Sequence, residues 1–95
     1  MKELKEVFLG KGQVKGFKFT QIKKTNNAYL YRVDTGDNKH YEIFERKENL
    51  RYNCISYPSN KSFGVWAKTT TNYNHALDIF EEINIKMDLR LSKND

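Results

Sequence analysis

Residues 28–46, AYLYRVDTGDNKHYEIFER, decide the fold that this sequence predicts. Aromatic and β-branched residues are dense in 28–33 and again in 40–46, and such residues favour strands. The TGDN sequence at 35–38 indicates a turn, because glycine and asparagine tolerate the positive φ that tight turns require. A connection this short joins antiparallel strands, since parallel strands need a crossover of roughly a dozen residues. We therefore predict a β-hairpin.

Two further strands extend this hairpin. Residues 17–23, FKFTQIK, alternate between apolar and polar side chains until the alternation slips at Ile22, and the TNN sequence at 25–27 supplies the following turn. Residues 62–68, SFGVWAK, are the last predicted strand. The stretch between 50 and 57 fits either a short strand or a packed loop. The sequence thus predicts a meander of four antiparallel strands.

The residues after the last strand change their period. Ala76, Phe80 and Ile83 are spaced i, i+4 and i+7, which places them on one face of an amphipathic helix. Asn72 and Asn74, just ahead of this stretch, are both suited to cap its first turn. We predict an α+β fold, in which an antiparallel four-stranded, meander-like sheet is covered on one face by a C-terminal helix.

Length and composition indicate one small domain. The chain has 95 residues, too few for two hydrophobic cores, and thirteen aromatic residues supply much of the area for one. We therefore treat residues 1–95 as a single α+β domain, with flexibility expected only in 1–10 and 92–95. No apolar run reaches membrane-spanning or signal-peptide length, so we expect a cytoplasmic protein that contacts no membrane. The single cysteine, Cys54, excludes an internal disulfide.

The excess positive charge is confined to the start of the chain. The formal net charge is +5, and residues 1–24 hold seven lysines against two glutamates. Residues 25–95 hold ten basic and ten acidic side chains, so they contribute no net charge. A local excess of this kind attracts polyanions, of which nucleic acid is the commonest in a cell. The alternative role of these lysines is to keep a small protein soluble.

The two faces of the predicted sheet differ in character. Alternation places on the helix side Ala28, Leu30, Tyr41, Ile43, Phe63, Val65 and Ala67. It places on the other side Tyr29, Tyr31, Val33, His40, Glu42, Phe44, Arg46, Trp66 and Lys68. Exposed rings flanked by cations stack bases and contact phosphates, so an open second face predicts a nucleic-acid surface. Alternatively, residues 1–16 and 48–61, a protein partner or a second copy of the chain covers this face.

Enzymatic and metal-dependent chemistry find no support in the sequence. The glycines of GKGQVKG at 10–16 are spaced somewhat like those of a phosphate loop, but a strand follows them where such a loop needs a helix N-terminus. His40, His75 and Cys54 are not spaced as metal ligands or as a nucleophile with its base. We therefore expect a non-enzymatic module with no catalytic residue, no metal and no cofactor.

These observations lead to one function hypothesis and one alternative. The hypothesis is a small module that binds nucleic acid through its basic N-terminal segment and a sheet face. The residues expected to form this site are Lys11, Lys15, Lys18, Lys23, Lys24, Tyr29, Tyr31, Arg46, Trp66 and Lys68. The alternative is a protein-interaction module, such as a small regulator or inhibitor of phage or mobile-element origin, or a domain that forms a homodimer. DNA and RNA, and monomer and dimer, are all compatible with the sequence.

Overall fold

The fold is an antiparallel sheet with one long C-terminal helix. The computed structural model describes residues 1–93, with side chains as far as Arg90. Its elements in chain order are β1 (Val7–Leu9), β2 (Lys18–Lys24), β3 (Ala28–Asp34), β4 (Lys39–Glu45), β5 (Glu48–Asn49), β6 (Cys54–Ile55), β7 (Ala67–Thr70) and α1 (Tyr73–Lys93). One sheet has the strand order β1-β2-β3-β4-β7, and β5 pairs with β6 in a separate ribbon. The predicted α+β class and the meander order are confirmed.

The main sheet has five strands, one more than predicted. The additional strand is β1, which pairs with β2 so that Phe8 lies opposite Phe19. A backbone hydrogen bond of 2.8 Å, from the Gly10 N–H to the Phe17 carbonyl, continues this pairing. Three residues are too few for an alternating pattern to indicate a strand, and β1 was missed for that reason.

The slip in alternation at Ile22 is a β-bulge. The register of β2 against β3 shifts between Gln21 and Lys23, so that Ile22 is an extra residue in its strand. Ile22 packs on the helix side of the sheet, and Lys24 lies opposite Tyr29 on β3. The bulge therefore turns Lys24 towards the face that α1 does not cover.

The helix buries one face of the central strands. The cluster beneath it consists of Ala28, Leu30, Tyr41, Ile43, Ala76, Ile79 and Phe80. The helix is capped by Asn72, whose Oδ1 accepts the His75 N–H at 3.0 Å. Farther along α1, the Asn27 side chain donates to the Asp88 carboxylate at 2.8 Å and ties the helix to the β2–β3 turn. The expected helix side is confirmed for the four sheet residues of this cluster.

The expected orientation of the last strand is wrong by one residue. Gly64 has a φ of +87° in a turn that delays β7 until Ala67. Ala67 then lies opposite Phe44, away from the helix, and Lys68 lies opposite Ile43 on the helix side. A shift of one residue moves every side chain of a strand to the other face. Three apolar residues of the predicted strand, Phe63, Val65 and Trp66, lie before β7. Phe63 and Trp66 pack on the face away from the helix, as was expected for Trp66 but not for Phe63, and Val65 is 76% exposed.

The second face of the sheet is covered by the chain itself. Its buried cluster consists of Phe19, Tyr29, Tyr31, Val33, Phe44, Ile55 and Ala67. Partly buried residues from the chain start and from the region before β7 pack against it, namely Leu4, Phe8, Phe17, Tyr57, Phe63 and Trp66. Of the coverings that the sequence left open, the structure shows the one made by the protein's own segments.

The flexibility expected at the two ends of the chain can be compared with the structure only in part. The N–H of Lys2 donates to the Asn53 carbonyl at 3.0 Å, so the first ten residues, where flexibility was expected, make contacts along the second face. At the other end α1 reaches Lys93, and the expected flexibility of 92–95 concerns two residues, 94 and 95, that lie outside the described residues. Within residues 1–93, no helix is both long and apolar enough to span a membrane.

Replacing Phe80 by alanine should destabilise the protein by about 3–5 kcal/mol, because it empties a buried aromatic site beneath α1. Ile85→Ala is the matched control: Ile85 lies on the same helix but is 53% exposed, so its loss should change the free energy of unfolding by no more than roughly 0.5 kcal/mol. Urea denaturation measures both. Equal effects of the two substitutions would show that α1 does not pack on the sheet by this face.

Candidate functional site

The lysines of the N-terminal segment fall into two groups at opposite ends of β2. Lys11 and Lys15 lie in the connection between β1 and β2, and Lys18 begins β2; all three are exposed. Lys23 and Lys24 end the same strand, about 16 Å from Lys18 at the rise of an extended chain. We call Lys11, Lys15 and Lys18 the basic end. The candidate lysines therefore do not form a single cluster.

The glycines of the β1–β2 connection shape the loop that carries the basic end. A Cβ on Gly10 would lie 2.2 Å from the Val14 carbonyl oxygen, so only glycine allows this close approach. Gly16 has a φ of +90°, which other residues rarely adopt. Between them lies one turn of 3-10 helix, and β2 follows. These glycines thus serve a turn, which agrees with the sequence-based argument against a phosphate loop.

Lys24 and Arg46 are already paired with an acidic residue of the chain. The Lys24 Nζ lies 3.1 Å from Glu3 Oε1, and the Arg46 Nε donates to the same oxygen at 3.1 Å. The Arg46 guanidinium, together with the Tyr29 hydroxyl, holds the pKa of the Glu3 carboxyl well below its usual range. The Arg46 guanidinium also lies 3.4 Å from Glu48 Oε1, so the two cations face two carboxylates and offer a polyanion little free charge.

Trp66 and Lys68 lie apart from the basic end. Trp66 is partly buried, with its ring edge-to-face against Phe44 at 6.3 Å between centroids and the Lys47 Nζ 5.4 Å from its own centroid. Lys68 is exposed on β7, three strand spacings or about 14 Å from β2. The structure does not bring these two residues together with the N-terminal lysines.

Tyr29 and Tyr31, which were expected to stack bases on an open face, are not exposed. Both side chains are fully buried, and their rings stack against each other and against Phe44. Each hydroxyl instead donates to the N-terminal segment: Tyr29 to Glu3 at 2.5 Å and Tyr31 to the Lys5 carbonyl at 2.6 Å. Burial raises the pKa of Tyr29 to about 12, with the Glu3 hydrogen bond adding to the effect. These rings belong to the core.

A groove of about 740 Å³ opens on the aromatic side of the sheet. Its lining comes mainly from residues 4–14 and 57–63, whose Phe8 and Tyr57 rings meet edge-to-face at 5.5 Å between centroids. Its apolar lining includes Leu4, Phe8, Leu9, Val14, Phe19, Tyr57 and Phe63. Its charged lining consists of two exposed lysines, Lys5 and Lys11, and of Glu42. Because Lys11 also belongs to the basic end, the two features are contiguous.

Glu42 is the largely buried polar group of this groove. Its side chain is 14% exposed and accepts a hydrogen bond from the Tyr57 hydroxyl through Oε1. Its Oε2 lies 3.0 Å from His40 Nε2, which donates in the Nε2–H tautomer. Burial, with the negative charge of Glu42 close by, raises the pKa of the Tyr57 hydroxyl well above its usual value. Tyr57 is therefore a neutral donor that fixes the Glu42 carboxylate.

Sequence reasoning missed most of the residues that line this groove. Lys5 was counted in the basic segment but not in the site, and Phe8 and Tyr57 were not assigned to it. Two signals were available in the sequence: the VFL triplet at 7–9, just ahead of the glycine-containing connection, and the Tyr57-Pro58 pair ahead of the last strand. Neither signal shows that the two segments meet, because that contact depends on the folded sheet between them.

Neither a metal site nor a similar protein indicates what this groove binds. Among the residues that the structure describes, no group of three or more histidine, cysteine, aspartate or glutamate side chains is placed to hold a metal ion. Comparison with protein-family models, with curated proteins and with solved structures finds no match to this chain. The groove and the basic end are therefore the features that indicate a function.

Substituting Glu3 by glutamine should lower the free energy of unfolding at pH 7, because it removes the charge that Arg46 and Lys24 stabilise. Since the folded-state pKa of Glu3 is depressed, its contribution is present above the unfolded value of about 4.5 and is lost as the pH falls towards the folded value. The stability gap between wild type and Glu3→Gln, from urea denaturation, should therefore narrow below pH 4.5.

Glu6→Gln is the control for this experiment. Glu6 is exposed and lies within 4 Å of no basic group in the described part of the chain, so its substitution should leave the pH dependence close to that of wild type. A gap between wild type and Glu3→Gln that stays constant from pH 7 to pH 3 would show that the ion pairs do not hold the N-terminal segment.

Proposed function

We propose that this protein binds nucleic acid through the basic end and the groove beside it. The observation that carries the proposal is a set of uncompensated lysines on one end of the sheet. Lys11, Lys15 and Lys18 are exposed, and in residues 1–93 none of them lies within 4.0 Å of a carboxylate oxygen. Lys5 adds a fourth such cation on the groove.

The chemistry of these cations supports backbone contact with weak sequence preference. Lysine is a compact point charge without the planar fork through which arginine recognises a guanine edge. Each lysine–phosphate contact releases condensed counterions, so such binding depends strongly on salt. The surface that we propose therefore holds the polymer chiefly through its phosphates.

The proposed site differs from the one that the sequence predicts. Lys24 and Arg46 are left out because Glu3 and Glu48 pair with them, and Tyr29 and Tyr31 are left out because they are buried. Trp66 and Lys68 lie on the opposite edge of the sheet. Lys11, Lys15 and Lys18 remain.

A salt titration tests the proposal. The affinity of wild type for a fluorescein-labelled 20-nucleotide single strand of mixed sequence is measured between 50 and 200 mM salt by fluorescence anisotropy. We expect affinity to fall as salt rises, and the triple variant Lys11→Ala, Lys15→Ala, Lys18→Ala to bind more weakly. The slope of log K against log salt should decrease by about 2, since each contact on a single strand contributes about 0.7.

The matched control removes the same number of charges elsewhere. Lys47→Ala, Lys68→Ala and Lys86→Ala together change the net charge equally, but these exposed residues lie outside the basic end. This variant should keep most of the wild-type slope. Equal losses in both triple variants would reduce the effect to overall charge, and the absence of any binding at 50 mM salt and micromolar protein would overturn the proposal.

A protein partner at the edge strand β1 is the second candidate. Hydrogen bonds to β2 are made by Glu6 and Gly10, so the alternation of an antiparallel ladder points the backbone groups of Val7 and Leu9 outwards. The side chains of Val7 and Leu9 are 52% and 67% exposed. An open, apolar edge is a template for an added strand. A chain that binds no polynucleotide and sediments as a dimer would favour this candidate.

A further inference from the structure

The Glu42 carboxylate is a feature of the groove that phosphate binding does not use. We propose that the groove accepts one unpaired nucleobase, whose exocyclic amino group donates to Glu42 while the adjoining phosphates contact Lys5 and Lys11. This inference rests on the proposed function and adds to it a single-stranded ligand and a preferred base. Three observations support it: the position of Glu42, the apolar walls of the groove, and the lysines that line the same groove.

The size and walls of the groove suit a planar aromatic ligand. Its volume of about 740 Å³ lies within the range of small-molecule sites. Phe8, Tyr57 and Phe63 contribute rings that are only partly buried, so some of their surface is available to a ligand. Contact between bases and aromatic side chains stabilises single-strand complexes and tolerates most sequences. The walls therefore provide affinity for a base without choosing between bases.

The Glu42 carboxylate provides the selectivity between bases. Two carboxylate oxygens offer about four acceptor positions, and the Tyr57 hydroxyl and His40 Nε2 occupy only two of them. An acceptor that lies in an apolar groove favours a ligand donor, since leaving it unpaired beneath a ligand costs desolvation energy. Cytosine presents its N4 amino group to such an acceptor, whereas uracil presents a carbonyl oxygen at the same position.

The charges of the site are complementary to one nucleotide. An amino donor faces the negative Glu42, and the anionic phosphates on either side of the base face the two lysines, which lie in the described structure without a carboxylate within 4.0 Å. A base in a duplex cannot satisfy this arrangement, because its ring is stacked between neighbouring bases and cannot enter the groove. The geometry thus points to single strands.

The test compares two homopolymers that carry the same backbone charge. Wild-type protein is titrated at neutral pH with labelled 12-nucleotide oligo(dC) and oligo(dU), whose bases differ only in the donor and acceptor pattern of the edge. We expect oligo(dC) to bind about 10- to 150-fold more tightly, the range for one hydrogen bond to a charged acceptor. Glu42→Gln should remove most of this preference while leaving the salt dependence of oligo(dU) binding unchanged.

The outcomes separate the two proposals. Equal binding of the two homopolymers by wild type overturns the base-binding groove and leaves nucleic-acid binding in place. Binding of neither homopolymer, nor of the mixed-sequence strand, overturns both. The comparison on wild type needs no variant, so it decides the question even if Glu42→Gln folds poorly. Lys11→Ala is the control variant, and it should weaken both homopolymers by the same factor because phosphates are common to them.

Discussion

The structure depends on the burial of three packed aromatic rings, two of which carry a hydroxyl group that must find an acceptor. Tyr29, Tyr31 and Phe44 pack together on the second sheet face, with the ring centroids of each pair between 5.6 and 6.0 Å apart. A buried tyrosine hydroxyl without a partner costs about 1–3 kcal/mol, so a chain that buries two of them must place acceptors above the sheet. The N-terminal segment supplies both, through the Glu3 carboxylate and the Lys5 carbonyl. The first residues of the chain are thereby part of the core.

The N-terminal segment closes the aromatic face of the sheet, and this closure determines where a ligand can bind. Because the N-terminal segment lies over the aromatic face, the rings that would have offered a flat stacking platform are inaccessible. The N-terminal segment also pairs its Glu3 with Lys24 and Arg46, whereas Lys11, Lys15 and Lys18 beyond β1 have no carboxylate within 4.0 Å in the described structure. The segment also forms one wall of the groove, whose other wall precedes β7. One structural requirement thus removes one candidate surface and creates another.

The sequence predicted those features that local pattern controls. The hairpin of residues 28–46 and the C-terminal helix follow from residue type and period, and the bulge was visible as the slip at Ile22. The register of β7 was not visible in the sequence, because one turn at Gly64 exchanges the two faces of the strand. The candidate site was only partly predictable, because residues far apart in the sequence decide which of its charges are free. The location of the charge is a property of composition, whereas the pairing of Glu3 with Arg46 joins residues 43 positions apart.

The claim that the N-terminal segment closes the aromatic face is tested most directly by amide hydrogen exchange. The N–H of Gln21 donates to the Glu6 carbonyl at 2.7 Å, and that of Ile55 to the Lys2 carbonyl at 2.9 Å, so both amides report on the closed segment. We predict that they exchange as slowly as amides shared by β3 and β4, since the closure belongs to the core. Exchange of both at the rate of unprotected amides, with the β3–β4 amides still protected, would contradict this account.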